Sequence, residues 1–366
     1  MLKALGVKNF RNLNIPKLTL TPGYTVIVGD NAQGKSNILE AIYLLSSGKP
    51  FRGTKNQALN WSAQEALVSG ETDAGKIQIV ISREDDTKIS IDGKPKNLLA
   101  LFGKFAATLF YPGEIELASG PPVGRRSWLD RLIATTDKTY LYNLLNYYRS
   151  LRNKNRLLKN NTGDMGQLEV WNNNLAAFGT KIWLTREEIV TRGNQTLKKV
   201  AKASIEKEIF LRYKNPVAGL EEAEAKKAFL KTLNSQKELE ARVMATVFGP
   251  HRDDFEIILE EESGQNILQE NLSLFGSRGE QRQAVIALKL TEYAYFKEAF
   301  SKSPSVLLDD PFSELDEKNR QLLLASLSAQ QTILTTTSID FLPTYIKKKA
   351  RILVVKRGEV SERPGP

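Results

Sequence analysis

Cysteine is absent from the 366 residues, and histidine occurs once, at His251. Disulfides, thiolate nucleophiles and cysteine-bearing zinc sites are therefore excluded. A reducing compartment is compatible with that composition. Long apolar runs are missing as well, since none approaches the ~20 residues that cross a bilayer. Met1–Val7 enters a strand-like run without the basic start, apolar stretch and small-residue cleavage site of a signal peptide. The expectation is a soluble, cytoplasmic protein. The sequence also has no internal repeat and no long heptad array, which argues against a solenoid or an extended coiled coil.

What is present is ordinary in bulk and biased in charge. Hydrophobic residues make up 41% and charged residues 26%, as in a globular protein with one large or two moderate domains. The formal charge is +10 and the pI about 9.4. A basic surface favours a polyanionic partner, because neutralising phosphates releases counterions. Charge alone is equally compatible with an inert basic surface.

Short strands dominate both ends of the chain. Tyr24-Thr25-Val26-Ile27-Val28 is a continuous β-branched and apolar run, the pattern of a strand buried on both faces. Ile38, Leu39, Ile42 and Leu45 then follow helical spacing. Further strands are expected at 76–81 and 88–91, with a reversal at Asp92-Gly93. Residues 125–245 read as mostly helical. Strands return at 255–259, 271–274, 306–308, 332–334 and 352–355. The pattern predicts a sheet domain assembled from the two termini with a helical insertion: 1–125 plus 295–366, and 126–294.

Gly29-Asp30-Asn31-Ala32-Gln33-Gly34-Lys35-Ser36 fits G-x-x-x-x-G-K-[ST] at every fixed position. A chain of this length would match by chance roughly one time in a hundred, and here a strand precedes the match and a helix follows it. The residue types suit a triphosphate. Glycines let backbone N–H groups curl around phosphate, and the helix N-terminus adds a positive dipole. Lys35 would reach the β- and γ-phosphates, and the Ser36 hydroxyl would ligate Mg2+. A second element, Val306-Leu307-Leu308-Asp309-Asp310, is an apolar strand ending in two acids. Asp309 would hold the magnesium and Asp310 would orient or deprotonate the attacking water.

Two classes fit poorly: a small-molecule kinase, which would place its phosphate loop in a shorter, more compact chain with a lid, and a GTPase. Asp-x-x-Gly occurs nowhere, and Asn153-Lys154-Asn155-Arg156 lacks the final acid of the guanine-reading motif. A third element points elsewhere. Ser277-Arg278-Gly279-Glu280-Gln281-Arg282 opens the helix that precedes the Asp309 strand, and it resembles the ABC signature. There Ser277, Gly279 and a helix N-terminus would meet the γ-phosphate held by a second subunit. The same residues form an S-x-x-E capping box, which explains them with no ligand at all. Ser313-Glu314-Leu315-Asp316 resembles the D-loop of the same class, with Ser313 and Asp316 at a dimer contact.

With these residues in view, the chain resembles the RecF family, recombination-mediator ATPases related to SMC proteins, over nearly its whole length. Lys8-Asn9-Phe10-Arg11-Asn12 is similar to the SMC-type opening, which would bring Arg11 near bound phosphate. Residues 110–114, Gly120-Pro121-Pro122, 125–130, 249–254 and 307–316 carry stretches similar to the RecF family in particular. The resemblance implies an ABC-type, SMC-like P-loop ATPase head with a helical second lobe inserted between its halves. It implies an ATP-dependent homodimer that clamps DNA and helps RecA load at gapped or damaged DNA, with RecO and RecR as partners and SOS induction as a consequence. Two departures from ABC practice point to slow hydrolysis. Asp310 stands where most members carry Glu, and 335–338 reads Thr-Thr-Thr-Ser where many carry a histidine. An ATP-using enzyme or scaffold acting away from DNA is the alternative.

Arg149, Arg152, Lys154, Arg156 and Lys159 lie in a run without acids and are the expected DNA contacts. Lys347-Lys348-Lys349 with Arg351 forms a second basic cluster. No base-reading module is apparent, so recognition of backbone and structure is expected.

Overall fold

The computed structural model describes residues 1–160, 165–202, 205, 207–263, 266–311, 320, 323–324 and 330–362. The chain packs as two compact units, Met1–Ile115 with Arg282–Pro366, and Glu116–Gln281. In the first segment lie β1 (Leu2–Phe10), β2 (Leu13–Thr19), β3 (Gly23–Val28), α1 (Lys35–Ser47), β4 (Glu65–Thr72), β5 (Gly75–Ser82), β6 (Lys88–Ile91), β7 (Lys94–Lys96), α2 (Leu98–Leu101) and β8 (Ala107–Phe110). The second unit holds α3 (Glu116–Ser119), α4 (Pro122–Thr136), α5 (Lys138–Asn160), α6 (Met165–Ala201), β9 (Glu208–Tyr213), α7 (Glu222–Ser235), α8 (Lys237–Val243), β10 (Phe255–Ser263), β11 (Asn266–Asn271) and α9 (Leu272–Phe275). The chain continues through α10 (Arg278–Phe300), β12 (Ser305–Leu308), β13 (Gln331–Thr336), α11 (Thr344–Lys349), β14 (Arg351–Lys356) and β15 (Glu359–Glu362).

The first unit is built on two sheets. One is antiparallel, in the order β2-β1-β4-β5-β6-β7; the other has the order β15-β14-β3-β13-β12-β8 and is parallel except at β15. Helix α1 touches strands of both sheets, and among its thirteen residues only Ser36 and Asn37 escape full burial. Its Ile38, Leu39, Ile42, Leu44 and Leu45 join Leu5, Phe10, Val68, Ile79, Leu307 and Ile333 in one core. That burial follows from an apolar sequence on nearly every side of the helix, as for a helix packed between two layers. Strand β3 buries Thr25, Val26 and Ile27 because it is central in a parallel sheet, flanked by β13 and β14. At the β6–β7 reversal, Asp92 and Gly93 take φ 51° and 76°, the left-handed pair of a tight hairpin.

The second unit is helical around a three-stranded antiparallel sheet, β11-β10-β9. A buried guanidinium organises it. Arg186 is fully buried and donates to Asp130 Oδ1 through Nε (3.0 Å) and Nη2 (2.7 Å), to Pro250 O (2.9 Å) and to Asp253 Oδ2 (3.2 Å). Asp253 also accepts from Tyr213 Oη at 2.6 Å, and Asp130 from Tyr140 Oη at 2.6 Å. Removing one member of such a network leaves buried carboxylates uncompensated. Arg186→Met is therefore expected to lower unfolding stability by about 3–5 kcal/mol, read as a fall in urea midpoint; a midpoint equal to wild type would contradict this role.

Two sequence expectations need correction, and the domain division differs in place. The expected strand at 271–274 ends at Asn271, whose side chain accepts from Ser273 N at 3.0 Å and caps the turn α9. An Asn ahead of apolar residues at this spacing starts a helix as readily as it continues a strand. Strand β9 interrupts the region read as helical; its Phe210 and Leu211 pair with Ile258 and Ile257 of β10, a partner 45 or more residues away that local pattern does not announce. The expected domain junctions at 125/126 and 294/295 fall inside α4 and α10; the compact units divide instead at 115/116 and at 281/282, the latter also within α10.

Candidate nucleotide site

The glycine loop joins β3 to α1, so its course is set by a central strand and a doubly buried helix. Gly34 sits at the N-cap of α1 with φ 111°, a conformation that L side chains rarely adopt. A Cβ on Gly29 would stand 2.5 Å from Val355 O of the neighbouring β14. Asp30, Asn31 and Ala32 are exposed, Ala32 in a left-handed conformation with φ 63°. Gln33 is anchored instead: its carbonyl accepts from Gly358 N at 2.9 Å and from Asn12 Nδ2 at 3.3 Å, and its Oε1 from Arg357 N at 2.7 Å. The loop is thus pinned at one corner and open at the other.

Lys35 is buried and donates to the carbonyls of Gly29 (2.7 Å) and Asp30 (2.8 Å), folding its ammonium back over the loop. Burial holds its pKa below the ordinary lysine value, against the opposing pull of Asp310, Asp309 and Asp30. Ser36 Oγ donates to Asp309 Oδ1 at 2.7 Å. The loop and the acid strand, 273 residues apart in sequence, therefore meet at the two oxygens expected to share a metal. The same Asp309 Oδ1 also accepts from Thr335 Oγ1 at 2.8 Å, and the Asp309 backbone N donates to Phe110 O at 2.8 Å. Thr335 Oγ1 also accepts from Asp310 N at 2.9 Å. Asp310 takes φ 46°, one of the few left-handed non-glycine residues, which turns the chain sharply at the strand end.

Thr335 is a site residue that sequence reading missed. No local signal marks it: β13 runs parallel to β12, and the register that pairs Leu308 with Leu334 is what places Thr335 beside Asp309. A cavity of about 130 Å3 lies next to Asp309 and is lined by Tyr111, Glu114, Val285 and Ile286 among others. Glu114 is buried there and pairs with Lys289 at 3.0 Å; Lys289 also meets Glu292 at 2.6 Å. Among the described residues no cluster of three or more His, Asp or Glu forms a metal cage, and no helix is long and apolar enough to cross a membrane.

Arg11 is placed differently from expectation. Its guanidinium grips the buried Glu40 of α1 at 2.9 and 3.1 Å and donates to the carbonyls of Gln57 (2.7 Å) and Arg52 (2.8 Å). Four of its five N–H groups are thereby engaged. As it stands, Arg11 ties β1 to the nucleotide helix and does not point a free fork at the loop.

In the second unit, Ser277 and Glu280 form the reciprocal capping box: Glu280 N donates to Ser277 Oγ at 3.2 Å and Ser277 N to Glu280 Oε2 at 2.9 Å. The Ser277 N–H holds the Glu280 carboxyl below its usual pKa range, with Lys207 assisting. Ser277, Arg278 and Gly279 are all exposed, and a Cβ on Gly279 would meet only Ser277 Oγ at 3.9 Å. Ser313 and Asp316 lie outside the described residues.

Of the expected DNA contacts on α5, Arg149, Arg152, Arg156 and Lys159 are exposed and follow 3-4-3 spacing, one face of the helix. Lys154 is not among them. It is 1% exposed and bonded to Glu240 Oε2 at 2.6 Å, because it lies on the opposite side of the helix from Arg152. Burial lowers its pKa against the pull of Glu240. His251 is half-buried, with Nδ1 on Tyr147 Oη (2.6 Å) and Nε2 on Thr246 O (3.1 Å). Burial pushes its pKa down to about 4, so it is a neutral packing residue at physiological pH.

The sequence profile of the RecF/RecN/SMC N-terminal domain matches residues 1–359. The DNA replication and repair protein RecF of Thermoanaerobacter pseudethanolicus is 33% identical over 352 residues, covering 93% of this chain and 95% of the relative. RecF of Moorella thermoacetica is 35% identical over 369 residues, covering 98% and 95%. The solved structure of a recombination mediator protein RecF-ATP, of the RecFOR pathway, superposes with a TM-score of 0.88 at 29% identity, over 99% of this chain and 97% of that one. The glycine loop against the paired acids, the two-sheet unit around α1 and these full-length similarities together establish that the chain belongs to the RecF family, with an ABC-type, SMC-like ATPase head.

Proposed function

We propose that this chain is a DNA replication and repair protein that binds ATP, dimerises around it, and holds DNA while the nucleotide lasts. One observation carries the nucleotide part. Ser36 Oγ and Asp309 Oδ1 lie 2.7 Å apart, beneath a loop that Lys35 spans. Magnesium suits this pair, since both donors are hard oxygens; bound there with nucleotide, it would neutralise charge on the β- and γ-phosphates. Lys35 would exchange its two loop carbonyls for phosphate oxygens. Thr335 keeps the Asp309 carboxylate turned toward Ser36 and braces the Asp310 backbone. Asp310 would orient the attacking water. A carboxylate one methylene shorter than Glu, with threonine in place of a nearby histidine, supports slow turnover suited to a timed switch.

The exposed Ser277 turn supports the dimer. A capped helix N-terminus with a hydroxyl and an open glycine can accept a γ-phosphate from another copy. Relatives named as DNA replication and repair proteins, and a neighbour whose name places it in the RecFOR pathway, support a role in DNA repair. The family resemblance extends this reading to gapped or damaged DNA, RecO and RecR as partners in RecA loading, SOS induction and a cytoplasmic location.

For DNA, the stripe Arg149, Arg152, Arg156 and Lys159 supports contact with backbone phosphates. Exchanging Arg152 and Arg156 for alanine should weaken duplex binding and reduce the slope of log affinity against log salt by about 2, near 0.9 per contact. An unchanged slope, measured by fluorescence anisotropy with ATP present, would remove α5 from the interface.

A further inference from the structure

The basic run Lys347-Lys348-Lys349 takes no part in the nucleotide site or in the α5 stripe. In the fold it is accompanied by rings. Phe341 is 54% and Tyr345 48% exposed, while Leu342 and Ile346 between them are buried. The short helix α11 therefore spends its apolar side on the core. Tyr345, Lys348 and Lys349, spaced i, i+3 and i+4, are all exposed and share its outer side.

The segment is held in place. Ser338 caps the 3-10 turn Ile339–Phe341 by accepting from Asp340 N at 3.1 Å, and Lys347 Nζ donates to Asp340 O at 3.2 Å. Tyr24 of β3 meets the Tyr345 ring edge-on, with centroids 6.4 Å apart and planes at 72°. Arg351 is engaged elsewhere, by both oxygens of Glu362 and by Thr19 O. Lys348 and Lys349 remain as exposed cations beside two exposed aromatic rings.

We infer that Phe341 and Tyr345, flanked by Lys348 and Lys349, form a second nucleic-acid contact, on the sheet-bearing unit, that takes a single-stranded segment by stacking bases on the rings. Ring faces can receive only bases that have left their own stack, which duplex DNA does not offer. An acidic peptide would answer the lysines and leave both rings without a matching surface. A membrane would need a broader apolar face than a six-residue helix whose Leu342 and Ile346 neighbours are already buried. The inference extends the proposed DNA binding and assumes it: a stripe for duplex phosphates on α5, and a stacking contact for unpaired bases beside α11.

The test uses the full chain with ATP and magnesium, a labelled oligo-dT and a labelled duplex. Phe341→Ala and Tyr345→Ala should each weaken oligo-dT binding about tenfold, the loss of one stacked base, and change duplex binding less than about twofold. Tyr345→Phe should bind as wild type, since stacking needs the ring and not the hydroxyl. Exchanging Lys348 and Lys349 for glutamine should lower the oligo-dT salt slope by about 1.4, near 0.7 per contact. Alanine variants that bind oligo-dT like wild type, or that lose duplex equally, would overturn the inference, as would poly-glutamate competing as well as oligo-dT. Failure of the wild-type chain to bind either DNA would instead strike the proposed function itself.

Discussion

Lys35→Met should raise the dissociation constant for ATP by about 100-fold, a loss of about 3 kcal/mol from charge-assisted contacts to phosphate. The reasoning is local. The Lys35 stem is buried at the start of α1, and methionine keeps an unbranched stem of similar length, so the helix and its core should survive. What disappears is the ammonium, now bonded to Gly29 O and Asp30 O and attracted by Asp309, Asp310 and Asp30. Isothermal titration with magnesium, alongside a thermal melt, separates lost binding from lost folding. A variant that melts like wild type and binds ATP equally well would show that the loop does not hold the triphosphate.

Ser277→Arg should produce the complementary result: ATP binding unchanged, association lost. Ser277 is exposed at the start of α10 and, among the described residues, bonds to Glu280 and the helix end. Losing the capping hydroxyl costs about 1 kcal/mol, too little to unfold a unit organised around Arg186. The long arginine side chain would, however, hold a second copy away from the turn where its γ-phosphate should dock. With ATP and magnesium present, sedimentation should show the wild type as a dimer and this variant as a monomer over at least a hundredfold range of concentration, the loss of about 3 kcal/mol of joint contacts.

The parts of this site that were legible in the sequence are those written contiguously. Gly29–Ser36 declares itself through fixed spacing between a buried strand and an amphipathic helix, and 306–310 through an apolar run ending in acids. The capping box was readable for the same reason, since Ser277 and Glu280 are one helical turn apart. The illegible parts depend on partners far along the chain. Arg11 reads as a phosphate ligand in the sequence, and nothing local announces that Glu40, 29 residues away, holds its guanidinium. Lys154 sits in an unbroken basic run, and charge of a single sign conceals which side of α5 turns inward. Its partner Glu240 lies 86 residues away. Thr335 resembles any strand end until the parallel register with β12 sets it against Asp309. Helix and strand periods predict faces; they do not predict which buried acid meets which base.

Two copies facing each other head to tail would share each triphosphate between one glycine loop and one serine-led helix end. Sedimentation of Lys35→Met and Ser277→Arg, alone and mixed with ATP and magnesium, tests that arrangement most directly. Each alone should stay monomeric, whereas the mixture should form a heterodimer weaker than the wild-type dimer, because one of its two sites still joins an intact loop to an intact serine. Should Ser277→Arg alone dimerise at wild-type concentrations, the shared grip is wrong.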